Sequence, residues 1–192
     1  MKKSYIVIGV LVLLVLFVGS RYNGMKKADI AVDKSWSNVE SQYQRRVDLI
    51  GNLVNTVKGA ADFEKSTLEA VIKARANATS IKVDPTNMTA AQMQEFQAAQ
   101  GQLSQSLGRL LVTVERYPEL KANQNFLKLQ DELAGTENRI NYSRDKYNDA
   151  VQVYEEKTET FPNAIYARLL GFKERHGFKA DEGASKAPEV KF

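Results

Sequence analysis

A run of fifteen residues near the start, Tyr5 to Gly19 (YIVIGVLVLLVLFVG), limits what this chain can be. No charged or amide side chain interrupts it. A helix rises about 1.5 Å per residue, so the run covers roughly 22 Å of a hydrocarbon core about 30 Å thick. Tyr5 and Tyr22 can sit at the two headgroup levels, while Lys2, Lys3 and Arg21 reach outward, which extends the span to roughly 26 Å. The reading is a membrane anchor over residues 1–24, carried by Tyr5, Ile6, Val7, Ile8, Val10, Leu11, Leu13, Leu14, Leu16, Phe17 and Val18. Two alternatives stand beside it. One is a signal peptide cut after Ser20, for which Val18-Gly19-Ser20 offers poor small-residue spacing with Arg21 directly behind. The other is a buried core helix, which a terminal run with no polar face fits badly. Basic groups flank the run on both sides, so the positive-inside rule nearly cancels. The short basic N-terminus favours the cytoplasm and an extracytoplasmic body.

Beyond the anchor lie about 170 residues, enough for one domain with a core. The net charge of +4 invites a nucleic-acid reading. Of the 27 Lys and Arg, three (Lys2, Lys3, Arg21) precede residue 25, where no acidic residue occurs. That leaves 24 basic against 23 acidic side chains in the body, a net of +1. Charges of both signs alternate along it, as on solvated helix faces, and no basic stripe with interleaved aromatics appears. Neither nucleic acid nor a small-molecule substrate is expected. With no cysteine, disulfides, thiol catalysis and a lipoprotein anchor are excluded.

The body reads as helix throughout. Asn23-Gly24 is expected to be a joint. Trp36, Val39, Tyr43, Val47, Ile50, Val54 and Val57 recur at steps of three and four, one stripe of an amphipathic helix, with Arg45, Arg46 and Asp48 off it. Gly51 within the stripe costs about 1 kcal/mol against Ala and could admit a close neighbour. After a break at Lys58-Gly59, Asp62 is a candidate cap for a helix whose inward face is Phe63, Leu68, Val71, Ile72 and Ala78. A loop from Ala78 to Met88 follows, since a residue before proline avoids the helical region, and Thr89 is the next N-cap. Met93, Phe96, Gln100, Leu103, Leu107, Leu110, Val114 and Tyr117 form a coiled-coil-like seam with Gln100 its one polar member, stopped by Pro118. Asn123 or Asn125 caps the longest helix. Its seam runs Phe126, Leu129, Leu133, Thr136, Ile140, Ser143, Tyr147, Val151, Tyr154 and Thr158, with a polar layer expected at Thr136 and Ser143. Asn163 to Phe172 reads as a short apolar helix folded over one end, through Ile165, Leu169, Leu170 and Phe172. Residues 179–192 read as a disordered tail.

The expected fold is therefore all-α: an N-terminal transmembrane helix, then an antiparallel four-helix bundle with long helices over residues 25–178. Chemistry is hard to find. His176 is the lone histidine and reads as an exposed tail residue. There is no HExxH, phosphate-binding glycine loop or GxSxG, and no Glu-x-x-His pair for a di-iron site. Glu137, Arg139 and Arg144 form a candidate polar network, although solvated salt-bridge faces are the commoner explanation of such residues. Tyr43, Tyr142, Tyr147 and Tyr154 read as core and rim, and Trp36 as core rather than headgroup-level.

Several runs, taken together, resemble the LemA family of bacterial membrane-anchored helical proteins. They are Trp36-Ser37-Asn38-Val39, Gln44 to Ile50, Asn52-Leu53-Val54, Val57-Lys58-Gly59, Ala74-Arg75, Leu107 to Leu110, Glu115 to Asn123, Phe126 to Leu133, Thr136 to Ile140, Tyr147-Asn148, Phe161-Pro162-Asn163 and Gly171-Phe172. Where the family commonly repeats Tyr-Asn, this chain has Tyr154-Glu155. The resemblance implies a short membrane segment, an antiparallel helical bundle, a cell-envelope setting, and no established enzymatic activity or cofactor. The expected role is a non-enzymatic, membrane-tethered interaction or scaffolding module at the bacterial inner membrane, whose partners are the lipid bilayer and either another protein or a second copy. A secreted soluble binding protein, and a hydrolase or metal enzyme working through carboxylates alone, are the rivals.

Overall fold

The computed structural model describes residues 2–59 and 63–179, with side chains from Tyr5 onward. The described residues are helices joined by turns and extended segments, without strands. The helices are α1 (Lys2–Lys58), α2 (Lys65–Ser80), α3 (Ala90–Val114), a single turn α4 (Pro118–Lys121) and α5 (Gln124–Glu159), followed by a 3-10 turn, Asn163–Ile165.

The first difference from expectation lies in α1. It runs without interruption through Asn23 and Gly24, so there is no joint. A single glycine costs a helix only about 1 kcal/mol, and the chain on either side of this one is held. The Tyr22 ring packs on Phe172 at 5.5 Å, and Met25 is fully buried. The stripe read from the sequence is the buried face of α1 and extends back through Val32 and Ala28 to Met25.

Pairing is most extensive between α1 and α5, then between α2 and α3. The partners run antiparallel. Trp36 meets Tyr147 while Arg46 meets Glu137, and Asn77 meets Gln102 while Glu64 meets Arg116. Arg75 ties α2 to α1: its Nε donates to the Val47 carbonyl at 2.8 Å, and its guanidinium lies over Gly51, where a Cβ would stand 3.1 Å from Nη2. Gly51 thus admits a side chain rather than a helix backbone.

Thr89 caps α3 through a capping box with Gln92, and Asn123 caps α5 by accepting from the amides of Asn125 and Phe126, both as expected. Asp62 lies outside the described residues. At the start of α2 stands Glu64, which makes no side-chain cap. Pro118 opens the short α4 as well as ending the preceding run, a position where its missing N–H is harmless.

Other expectations need correction. Ile72 and Tyr142 are exposed; Leu68, Val71 and Ala78 carry the inner face of α2. Asn163 to Phe172 makes one 3-10 turn and a series of turns instead of a helix. Ile165, Leu169 and Leu170 point outward, and it is Asn163 and Ala167 that are buried. The apolar residues of that segment therefore lack a helical period that could gather them on one inner face.

Two apolar compartments result. One gathers Val47 to Val57 of α1 with Leu103, Leu110, Val114, Phe126 and Leu133; the other gathers Ala28 to Tyr43 with Met93, Phe96, Ile140, Tyr147 and Tyr154. Leu103→Ala should cost about 3 kcal/mol, because the side chain is wholly buried and its cavity cannot collapse. Ile72→Ser should change stability by less than about 0.5 kcal/mol. Urea titration of the full chain in detergent, followed by circular dichroism, distinguishes the two.

Candidate functional site

Three features could carry function: a buried cation between the compartments, a strap along the body, and the bare apolar part of α1.

Arg46 is the buried cation. The sequence reading put it off the stripe; the structure leaves it 3 % exposed. Its Nη1 donates to Ser104 Oγ at 3.0 Å and to Glu137 Oε2 at 3.1 Å. Its Nη2 donates to the Gln100 side-chain and backbone oxygens, and the guanidinium stacks on the Tyr43 ring. Gln100, the one polar member of the α3 seam, is thus the acceptor that makes Arg46 tolerable. Thr136 lies at the same level, fully buried, donating to the Glu132 carbonyl and accepting from Arg139. A polar layer does lie near the middle of α5, built around a residue of α1.

Glu137, Arg139 and Arg144 are not brought together. Glu137 pairs with Arg46, Arg139 bonds Thr136, and Arg144 lies over the Phe178 ring at 4.9 Å with its Nη2 donating to the Lys179 carbonyl. Arg46→Ala should cost about 3 kcal/mol by stranding the buried Gln100 acceptor and emptying the space the guanidinium fills. Glu137→Gln should cost no more than about 1 kcal/mol, since that carboxylate is half exposed to solvent. Urea midpoints of the two variants test the contrast.

The strap, residues 172–179, joins Phe172, expected at the end of the short apolar helix, to His176, expected in an exposed tail. It is extended and packed along the body. Phe178 stacks on Trp36 at 6.0 Å, beside Phe96 and Tyr147, so Trp36 is core as expected. Asn148 accepts from the Phe178 amide and donates to its carbonyl; a Cβ on Gly177 would sit 3.0 Å from Asn148 Oδ1, so glycine allows that approach. Tyr147 donates to the His176 carbonyl and Tyr154 to the Lys173 carbonyl. The Tyr154-Glu155 departure leaves this second bond intact. His176 is half-buried in a pinned segment rather than a free tail residue. Lys179, where the tail was expected to begin, has a bonded carbonyl; residues 180–192 lie outside the described residues.

Arg175 locks the strap. It is almost wholly buried; its Nη2 lies 2.5 Å from Asp29 and 3.0 Å from Asp33, and its Nη1 donates to the Pro85 carbonyl. Burial would raise the Asp29 pKa, but the hydrogen bonds from Lys26 and Arg175 outweigh it and hold the carboxyl below its usual 3.8. Burial also pushes the Tyr147 phenol up to about 12, so it stays a neutral donor. Because the folded pKa of Asp29 is lowered, its stabilising contribution is complete above 3.8 and fades as pH falls through the folded value. Asp29→Asn should flatten the acid limb of stability and cost about 3 kcal/mol at neutral pH, where Arg175 loses its principal counter-ion. Phe178→Ala should red-shift emission from Trp36, the sole tryptophan, and lower stability by about 3 kcal/mol.

From Tyr5 to Phe17 the apolar side chains of α1 touch nothing in the body and are exposed all round. It is the one helix among the described residues that is long and apolar enough to cross a membrane. Those residues hold no group of three or more His, Asp or Glu side chains positioned for a metal ion.

An all-helical body continuous with one bare apolar N-terminal helix defines the class. A model of the LemA family matches residues 35–192, and the chain belongs to that family. Among its relatives, Magnetosome protein MamQ 2 of Paramagnetospirillum magneticum is 27 % identical over 176 residues, covering 83 % of this chain and 65 % of the relative. Protein LemA of Metamycoplasma hominis is 24 % identical over 167 residues, covering 87 % of this chain and 72 % of the relative. The chain thus spans somewhat less than two thirds of the MamQ protein's length.

Proposed function

We propose that this chain is a membrane-tethered, non-enzymatic interaction or scaffolding module of the bacterial cell envelope. In this reading α1 crosses the inner membrane once and its four long helices act as an antiparallel bundle on the extracytoplasmic side. The observation that carries it is the exposure of every large apolar side chain from Tyr5 to Phe17 on a helix that runs unbroken into a packed body. Leaving that surface in water is unfavourable by roughly 25 cal/mol per Å² of apolar area, and a bilayer removes the cost. Either another protein or a second copy of the chain would dock on the body.

The chain has no native cysteine, so single cysteines label cleanly. The full chain should stay in the membrane pellet after alkaline carbonate extraction, with its N-terminus uncut. A Val112→Cys variant should react with an impermeant maleimide on spheroplasts. Intact protein in the soluble fraction would end the tether reading, cleavage after Ser20 would favour a secreted form, and labelling only after lysis would place the body inside. Crosslinking in membranes should capture a protein partner or a dimer; a strictly monomeric result would count against scaffolding.

A further inference from the structure

The unbroken α1 fixes where the body stands relative to the apolar run. Trp36–Tyr147 and Arg46–Glu137 set the antiparallel register of α1 and α5, which brings Glu159, the last residue of α5, level with Gly24. The segment after α5 then returns to α1 at the Tyr22–Phe172 ring contact, 5.5 Å apart. Residues 160–172 therefore form the end of the body that faces the apolar run, only about 7 Å from Gly19 along the helix axis.

That end is unusually apolar. Phe161 is 84 % exposed and Leu169 87 %, with Ile165 and Leu170 also turned outward. The segment is nonetheless held in place, because the Asn163 side chain donates to the Lys157 carbonyl and Ala167 is buried. Large apolar groups on a fixed turn, with nothing in the body covering them, call for an apolar environment outside it.

The length of the anchor supplies that environment. A hydrocarbon core of about 30 Å, counted from Tyr5 along an untilted helix, ends near residue 25. The run itself stops at Gly19, so the bilayer boundary reaches the body before the core thickness is used up. The charge at this end is mixed: Arg168 and Lys173 line a cleft with Glu159 and Glu174, and Glu155 lies near both carboxylates, so the contact is carried by the apolar side chains.

We infer that the Phe161–Leu170 turn is a second membrane contact: its apolar side chains enter the headgroup–acyl boundary of the bilayer that α1 crosses. The inference rests on the tether reading above and adds to it. It makes the body stand on the membrane end-on, through two points of attachment.

The test reconstitutes the full chain in vesicles of phosphatidylethanolamine and phosphatidylglycerol, with an environment-sensitive dye on one introduced cysteine at a time. Leu13→Cys reports the anchor, Leu169→Cys the turn, and Val112→Cys the exposed far end of α3. The Leu169→Cys label should shift to the blue and be quenched more by lipids brominated near the headgroup than by lipids brominated at the chain ends. Leu13→Cys should show the opposite preference, and Val112→Cys should not be quenched. If Leu13→Cys is quenched but Leu169→Cys behaves like Val112→Cys, the second contact is refuted and the tether stands. If Leu13→Cys is not quenched either, the tether itself fails. Quenching at all three positions means the body lies flat on the bilayer and refutes the end-on contact.

Discussion

One guanidinium sets the alignment of the body. Arg46 is placed where the apolar stripe of α1 would have continued, and a buried cation is expensive unless its donors are paired. Its partners come from α3, as Ser104 and Gln100, and from α5, as Glu137. Sliding either helix by one turn would leave the charge facing aliphatic side chains. The layer also separates the two apolar compartments, one lined by β-branched and leucine side chains, the other by aromatic rings. Apolar packing alone tolerates small slips, whereas a buried charge whose two Nη groups are both paired does not.

The second compartment is closed by a part of the chain that is not helical. Phe178 enters the aromatic cluster around Trp36, and Arg175 brings its own charge to Asp29 and Asp33 at the start of the body. The strap thereby joins the end of the described chain to the region where α1 leaves the body. Several of its backbone groups bond to side chains, chiefly Tyr147, Asn148 and Tyr154, in place of a ladder partner.

What could be read in advance follows from sequence range. The stripe from Trp36 to Val57 and the α3 and α5 seams repeat at helical period, so their inner faces were apparent residue by residue; the caps at Thr89 and Asn123 depend on neighbours two or three positions away. Arg46 could not be told from Arg45 beside it. One helical step of about 100° buries the first and exposes the second, and the acceptor that decides the matter, Gln100, lies 54 residues on. Arg175 depends on a carboxylate 146 residues earlier, and nothing in Lys173 to Lys179 has a period. Ile165, Leu169 and Leu170 were assigned inward because they are apolar; hydrophobicity says that a residue avoids water, not which surface covers it.

The absence of a bend at Gly24 has a mechanical meaning. From there to Lys58 α1 extends roughly 51 Å, rigidly continuous with the apolar rod. Helices in lipid tilt to match local thickness, and a rod without a hinge turns that tilt into a swing of the far end. A change of about 10° would carry the tip near Lys58 sideways by roughly 9 Å. In the membrane-crossing reading proposed above, the angle of the apolar segment and the position of the tip at Lys58 are one variable, and a second attachment at the turn would restrain both.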